Sequence, residues 1–390
     1  MRNLLVVLLL LPSLVSARND TNFGNDGQTV SRYYMTGGVS SGFNPSEFPS
    51  QRGQRLERST KPLSPELAEL IDKAKDTDRH TLAIMLVDHG VVVYESNDDA
   101  RTEYMGWSLA KSITGLLVGQ ALCQGDIKSL NDPAAKYAPE LAQTVYGRAT
   151  IEDLLTMRSG APGPDREGTG ESPGEFYLLT RGLRSQLDLI NKPKNLGPGY
   201  EKTYTYDNLN TSALGIVLNR LKGFDYYMKN LTQQARTEQP INWFSDRDRQ
   251  VNASYGMGAT LDDWAHLAQY SVDTLKGRHG DKCMQDYMTK SVQHSVKPEE
   301  TDSLNKFFGY GYSVWTHPKI KNGYAWFGMY GQKVFVDPDN ELVLIVFRTR
   351  QDQEFNQRIG RVWSTWRTQV RSQTAAVQGS VTVEIGSKKR

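Results

Sequence analysis

The pair of residues best suited to covalent chemistry is Ser108 and Lys111, in the run Ser108-Leu109-Ala110-Lys111. Side chains three positions apart share one face of a helix, so the lysine can reach the serine hydroxyl. At a helix N-terminus, unpaired amides and the helix dipole would stabilise negative charge on the serine oxygen. Lysine accepts a proton only when burial or nearby positive charge lowers its pKa, and the apolar flanks favour burial. The pair indicates a nucleophilic serine with a lysine base, although a surface helix capped by serine has the same pattern.

A second candidate lies about a hundred residues later, where Tyr206-Asp207-Asn208 precedes a predicted helix. A tyrosine beside a lysine can share its proton and serve as a base or an acid. The amide of Asn208 both donates and accepts hydrogen bonds, so it can hold a substrate carbonyl. The alternative is a polar loop that caps the following helix.

A third candidate is the run Phe327-Gly-Met-Tyr-Gly-Gln332, which leads into a predicted strand. Glycine lets a substrate approach the backbone closely. The backbone amide of Gln332 could pair with that of Ser108 to form an oxyanion hole. The alternative is an ordinary bend at the start of a strand.

The elements that must position these residues lie at both ends of the chain and in its middle. Apolar spacing predicts a helix over 64–75, and β-rich runs around Asp88-His89-Gly90 predict a hairpin over 81–95. The region from 108 to about 290 is mostly helical in pattern. Three late strands and a closing helix are expected at these positions: 309–315, 332–336, 342–347 and 356–371. The pattern predicts an α+β fold, with one antiparallel sheet built from both chain ends and a helical insertion between them.

Other catalytic motifs have little support. The run Gly38-Val-Ser-Ser-Gly42 matches G-x-S-x-G, but no strand precedes it and no helix follows, so we interpret it as a chance match. The six histidines are scattered and give no support to a Ser-His-Asp triad. No zinc-protease motif, phosphate loop or Cys-x-x-Cys is present.

Composition and the first residues bear on location and partners. The net charge of +2 gives no indication of nucleic-acid binding. Arg2, the apolar run 4–11 and Val15-Ser16-Ala17 predict a signal peptide cleaved after Ala17, and hence a secreted or periplasmic protein. No stretch predicts a membrane span. The two cysteines, Cys123 and Cys283, could form a disulfide or remain two buried thiols.

The order of these motifs resembles that of the serine β-lactamase and D,D-peptidase superfamily. Ser-x-x-Lys, Tyr-x-Asn and a glycine motif on a strand occur in the class C branch and its esterase and amidase relatives. The resemblance covers roughly residues 65 to 370 and extends to Leu154–Gly160 and Gly256–Asp263. Penicillin-recognising members usually carry Lys-Thr-Gly, whereas this chain has Met329-Tyr330-Gly331. The form here is closer to 6-aminohexanoate-dimer hydrolase and related esterases.

The resemblance implies a fold, a mechanism and a set of site residues. Ser108 would attack an ester or amide carbonyl, Lys111 and Tyr206 would move protons, and the amides of Ser108 and Gln332 would stabilise the oxyanion. Substrate would be held by Asn208, Tyr330 and Gly331, and no metal or cofactor would be needed. The alternatives are a β-lactamase or D,D-peptidase, and a catalytically silent binding protein of the same fold.

The expected domain organisation places a β-lactamase-like hydrolase domain between flanking segments. The sheet subdomain would comprise 61–115 and 300–372, and the helical insert 116–299. The flanking segments are a signal peptide over 1–17, an irregular arm over 18–60 and a tail over 373–390. The expected partner is a small ester or amide substrate, and the oligomeric state is left open.

Overall fold

The structure is a computed structural model. It describes residues 46–50, 53–75, 80–97, 101–163, 179, 183–293, 295–301 and 308–387, with side chains to 373. The predicted signal peptide, the G-x-S-x-G run at 38–42 and most of the predicted arm lie outside the described residues. Within the described part, no helix combines the length and the apolar character that crossing a membrane requires.

The described strands form two antiparallel sheets. They are β1 (Ser46–Phe48), β2 (Thr81–Asp88), β3 (Val91–Glu95), β4 (Glu103–Met105), β5 (Ile241–Trp243), β6 (Met257–Thr260), β7 (Gly309–Tyr310), β8 (Trp315–Thr316), β9 (Tyr324–Gly328), β10 (Gln332–Asp337) and β11 (Leu342–Arg348). The larger sheet has seven strands in the order β3-β2-β11-β10-β9-β8-β7, and the smaller has four in the order β1-β5-β6-β4.

The helices of the described residues precede, separate and follow these strands. They are α1 (Pro65–Lys75), α2 (Leu109–Cys123), α3 (Val145–Arg148), α4 (Ile151–Leu155), α5 (Gln186–Ile190), α6 (Asn208–Arg220), α7 (Phe224–Ala235), α8 (Leu261–Leu275), α9 (Lys282–Ser291) and α10 (Gln353–Ser387). Short 3-10 turns lie between them, including one over Met329–Gly331.

The seven-stranded sheet lies between two helical layers, because its central strands bury both faces. On β2, Ile84 and Leu86 pack with residues of α1 and α10. The alternating residues Met85 and Val87 belong to the other core, which includes α2 and α8. Since β2 pairs with β11, the sheet joins strands from both ends of the chain. This arrangement confirms the predicted α+β class and the sheet built from both ends.

The hairpin predicted over 81–95 is confirmed by the antiparallel pairing of β2 with β3. The single strand predicted over 309–315 is wrong, since that run folds back as β7 and β8, which pair with each other. The amide of Tyr312, between the two strands, donates to the carbonyl of Ser291 at the end of α9. A contact with a distant helix therefore bends a run whose composition is that of a straight strand.

Two further stretches are more regular than the sequence indicated. Residues 46–48, in the segment expected to be irregular, form β1 and pair with β5. Part of the segment expected to be a loose tail, beyond residue 372, continues α10 as far as Ser387. The four-stranded sheet had no counterpart in the sequence-based expectation, because its strands are only three or four residues long.

The two cysteines form a disulfide, which decides between the alternatives left open by the sequence. Cys123 ends α2 and Cys283 lies in the first turn of α9, with their Cα atoms 5.6 Å apart. The bridge therefore ties the C-terminal end of α2 to α9.

Candidate active site

Ser108 lies in a strand-turn-helix segment at the start of α2. Strand β4 ends at Met105, and Gly106 and Trp107 make the turn before the helix begins at Leu109. Trp107 has a φ of 52°, a left-handed conformation that costs a non-glycine residue of order 1 kcal/mol or more. Such strain is characteristic of functional turns, because the surrounding structure must hold it in place.

The hydroxyl of Ser108 is not used as a helix cap. Although Ser108 is the N-cap residue of α2, its side chain caps no amide in the described structure. Its Oγ instead accepts a hydrogen bond from Lys111 Nζ at 2.9 Å. The surface-cap alternative for this pair therefore does not describe the structure, and the serine oxygen faces the lysine amine as the motif predicts.

Lys111 is buried, with 1% of its surface exposed. Among the described residues its Nζ donates to three acceptors, which are Ser108 Oγ, Asn208 Oδ1 at 2.7 Å and the Ser254 carbonyl at 2.8 Å. Burial lowers the pKa of Lys111 to about 7, because the charged ammonium loses hydration, while the carboxylate of Asp207 acts in the opposite direction. A lysine in this state is neutral for much of the time near neutral pH and can accept a proton.

Tyr206 and Asn208 reach this lysine from the N-terminal end of α6. The Lys111 Nζ lies 5.0 Å from the centroid of the Tyr206 ring. That ring stacks on Trp315 at a centroid distance of 5.6 Å, so the sheet supports it from behind. Asn208 is the first residue of α6, and its side-chain oxygen accepts from Lys111. The structure thus brings together four of the predicted residues: Ser108, Lys111, Tyr206 and Asn208.

The third motif lies beside the serine turn. A Cβ on Gly328 would come within 2.1 Å of the Gly106 carbonyl oxygen, so only glycine permits this approach of β9 to the turn. Tyr330 and Gly331 follow with φ values of 64° and 91°, and β10 begins at Gln332. Backbone packing, rather than a side-chain contact, brings the predicted oxyanion-hole segment close to α2.

The side chain of Gln332 holds this turn against β11. It is fully buried, and its Nε2 donates to the carbonyls of Met329 and Arg348 at 2.9 and 2.8 Å. Its Oε1 accepts from the Arg348 amide at 2.9 Å. Sequence reasoning assigned a role only to the backbone amide of Gln332. The structure adds a side chain whose bonds restrain the position of that amide.

The other residues of the third motif have different environments. Tyr330 is buried and meets the Trp107 ring edge-on at 5.3 Å between centroids, and burial raises the pKa of its hydroxyl. Met329, at the position of the family lysine, has 45% of its surface exposed. Gly331 packs near Arg348. Substrate contact by Tyr330, Gly331 and Asn208 stays a prediction.

A second buried lysine, Lys333, does not take the place of the lysine that penicillin-recognising relatives carry in the third motif. Its ammonium lies 5.8 Å from the ring centroid of Phe327 and 3.5 Å from the carbonyl oxygen of Gly331. Burial and the nearby Arg348 lower its pKa to about 8. Strand alternation places it on the opposite face of β10 from Gln332, the face covered by α1 and α10.

Sequence reasoning missed three groups that complete the site. The Ser254 carbonyl gave no signal, because any residue type can supply a backbone oxygen. Asp207 lies inside the Tyr-x-Asn motif but was passed over, and Tyr146 lies 61 residues before it. The sequence offered a polar loop that caps this helix, and the structure shows that Asp207 is the capping residue.

The beta-lactamase family model matches residues 67–365, which is most of the chain and includes every predicted site residue. The chain belongs to the beta-lactamase family. The 6-aminohexanoate-dimer hydrolase of Paenarthrobacter ureafaciens is 21% identical over 267 residues, covering 63% of this chain and 66% of that protein. The chain therefore aligns with slightly less than two thirds of that relative.

Solved structures agree on the fold. A candidate 6-aminohexanoate-dimer hydrolase from Bacillus anthracis superimposes with a TM-score of 0.68 at 18% identity, covering 88% of this chain and 95% of that one. EstCE1, a hydrolase with promiscuous acyltransferase activity, gives a TM-score of 0.61 at 14% identity, covering 76% and 97%. These likenesses confirm the fold, and the family model over residues 67–365 confirms the superfamily that the motifs indicated.

Proposed function

We propose that this beta-lactamase-family protein is a serine hydrolase that cleaves ester or amide bonds through an acyl-enzyme on Ser108. The observation that carries the proposal is the 2.9 Å contact between Lys111 Nζ and Ser108 Oγ. It is supported by the lowered pKa of Lys111, since a neutral amine at this place can activate the hydroxyl. The similarity to a 6-aminohexanoate-dimer hydrolase is consistent with this class of reaction.

The proposed reaction has two halves that share one set of groups. Neutral Lys111 takes the proton of Ser108 as the serine oxygen bonds to the substrate carbonyl carbon. The backbone amides of Ser108 and Gln332 stabilise the resulting oxyanion. The proton returns to the leaving alcohol or amine through Lys111 and Tyr206, leaving an acyl-enzyme. Water then attacks the acyl carbon by the same route, which releases the acid and restores Ser108.

The third motif supports a proposal about the substrate class. Met329 occupies the position where penicillin-recognising relatives carry a lysine, and its exposed thioether offers an apolar contact instead of a positive charge. We therefore propose neutral acyl or leaving groups as the main substrates. A covalent adduct of labelled penicillin on Ser108 would point to the antibiotic or peptidoglycan class instead.

The direct experiment compares hydrolysis of p-nitrophenyl acetate and butyrate by the wild type and by Ser108→Ala. The matched control is Ser364→Ala, since Ser364 lies on the exposed surface of α10. We expect Ser108→Ala to lose activity by at least about three orders of magnitude, and the control to retain it. Equal rates for wild type and Ser108→Ala would refute the assignment. A silent binding protein would be indicated if the wild type reacts neither with an ester and amide panel nor with a fluorophosphonate probe.

We also propose that the protein is exported. The N-terminal pattern of residues 1–17 is that of a signal peptide, and the Cys123–Cys283 disulfide is consistent with an oxidising compartment. Fractionation of the source cells with mass determination of the mature chain tests this, and a cytoplasmic chain that retains residue 1 would contradict it.

A further inference from the structure

Asp207 is a buried carboxylate between two residues of the candidate site. It has 1% of its surface exposed and lies between Tyr206 and Asn208. Its Oδ1 accepts from the Leu209 amide at 3.0 Å, which makes it the N-cap of α6. Its Oδ2 accepts from the hydroxyl of Tyr146 on α3. The carboxylate is thus held from two sides, by its own helix and by a second one.

This placement couples Asp207 to the position of the lysine. Asn208 Oδ1 lies 2.7 Å from Lys111 Nζ, and the Tyr206 ring lies 5.0 Å from the same atom. Both neighbours are one peptide bond away from Asp207, so the contacts that anchor its carboxylate also restrain the backbone that carries them. An N-cap in a surface helix would need only the bond to Leu209. Here the carboxylate is buried and has the additional bond to Tyr146, which restrains it further.

Among the described residues, the groups that act on the Asp207 carboxylate can be named. Lys111 on α2 and Lys194 in the 3-10 turn Pro193–Asn195 are the cations that act on the carboxylate, and Tyr146 on α3 is its hydroxyl donor. Burial raises the pKa of Asp207, while Tyr146, Leu209 and the two lysines oppose that rise. In the other direction, Asp207 is the group whose charge raises the pKa of Lys111 against the effect of burial.

We propose that Asp207 is a positioning residue for the reaction, which holds Tyr206 and Asn208 against Lys111 and supplies the negative charge that keeps Lys111 an effective base. The inference rests on the proposed function, since it assigns Lys111 the role of proton acceptor. A lysine buried without this carboxylate would be neutral over a wider pH range, yet it would bind a proton more weakly. Because a base must draw the proton from serine in the transition state, that weaker base would be slower even when fully neutral.

The test is Asp207→Asn, which preserves the shape of the side chain and leaves an oxygen to accept from Leu209. The control is Asp281→Asn, which makes the same change at the N-cap of α9, where Asp281 accepts from Met284. The first readout is the pH profile of kcat/KM with p-nitrophenyl butyrate. We expect the acidic limb of Asp207→Asn to move down by about one pH unit and its plateau to fall by about tenfold or more. The control should match the wild type in both.

The second readout does not depend on catalysis. Lys111 is titrated by NMR in protein labelled at the lysine Cε carbon, with Lys111→Met used to assign its signal. In Asp207→Asn we expect the titration midpoint of Lys111 to fall by about as many pH units as the acidic limb of the kcat/KM profile. If neither the limb nor the NMR titration moves, and only the melting temperature falls, Asp207 is a helix cap alone and the inference is wrong.

Tyr146→Phe guards against failure of the first variant to fold. Loss of the donated hydrogen bond leaves the Asp207 carboxylate less stabilised, so the same shifts are expected at smaller size. An unchanged Lys111 titration in a folded Tyr146→Phe would count against the inference. Failure of the proposed function is distinguishable, since Ser108→Ala tests the nucleophile, whereas the NMR titration tests the effect of Asp207 on Lys111 without relying on activity.

Discussion

Lys111 Nζ lies 2.7 Å from Asn208 Oδ1 although 97 positions separate the two residues in the chain. The contact exists because α2 and α6 present their N-terminal ends to the same point. Helix N-termini carry partial positive charge, which disfavours an ammonium placed between them. Helix geometry therefore acts in the same direction as burial, which lowers the pKa of Lys111 to about 7.

The first prediction concerns pH. Only neutral Lys111 can take the serine proton, so kcat/KM for ester hydrolysis should rise with pH through about 7 and then level. Lys111→Arg should be inactive across the range, because the guanidinium stays protonated. Steady-state kinetics of both proteins from pH 5 to about 9 check this. A wild-type profile flat over that interval would contradict the assigned base.

The second prediction concerns stability. The pKa of Lys111 is about 7 when folded, against the ordinary value of 10.5. At pH values between these two pKa values, Lys111 is protonated in the unfolded chain and neutral in the folded protein. The free energy of unfolding of the wild type therefore increases as the pH rises through this interval. Below pH 7 the cost of the buried charge is fully present. Lys111→Met should therefore be more stable relative to wild type at pH 6 than at pH 9, by about 3 kcal/mol.

Urea denaturation at the two pH values measures this difference. Lys229→Met, at an exposed lysine on α7, is the control and should show no such pH dependence. If Lys111→Met and wild type differ by the same free energy of unfolding at both pH values, the pKa of Lys111 is not lowered in the folded protein.

The third prediction concerns the side chain of Gln332. Gln332→Ala removes two hydrogen bonds to Arg348 on β11 and one to Met329 within the turn, and should lower the free energy of unfolding by about 2–4 kcal/mol. If the backbone amide of Gln332 stabilises the oxyanion, the loss of its positioning should lower kcat by a larger factor than it raises KM. The exposed Gln233→Ala is the control for both measurements. Unchanged kcat in a destabilised Gln332→Ala would restrict this side chain to a structural role.

The fourth prediction concerns the disulfide. Cys123 and Cys283 close a loop with a sequence separation of 160, so replacing both by alanine should cost about 2–5 kcal/mol of unfolding free energy. The double variant should still hydrolyse esters when it is assayed well below its melting temperature, because the bridge lies at the far end of α2, about 20 Å from Ser108. Chemical denaturation and ester hydrolysis of the double variant check the two parts. Loss of activity without loss of stability would contradict the expectation.

The fifth prediction concerns Met329. Met329→Lys places a positive charge at an exposed position of the third motif and should favour anionic substrates by up to about fivefold. The measurement is the ratio of kcat/KM for a p-nitrophenyl ester with a terminal carboxylate to that for its neutral analogue. Met329→Leu should leave the ratio unchanged, and added salt should reduce the gain. An unchanged ratio for Met329→Lys would place Met329 away from the substrate.

Several features could be predicted because they are local. The distance between Ser108 and Lys111 follows from helical spacing alone, and the Asp88-His89-Gly90 turn predicts the β2–β3 hairpin. The run 309–315 shows the limit of that reasoning. Its composition fits a strand, but the amide of Tyr312 bonds to the carbonyl of Ser291, and the chain turns back between β7 and β8.

The sequence by itself predicted which residue types could carry the chemistry, their order along the chain and the α+β class, since these depend on composition, spacing and periodicity. Only the tertiary structure decided what surrounds Lys111. The Ser254 carbonyl, Asn208 and the carboxylate of Asp207 approach it from distant segments, and the pairing of Cys123 with Cys283 arises in the same way. Burial and Coulomb interactions depend on distance in space, which the linear order of residues does not specify.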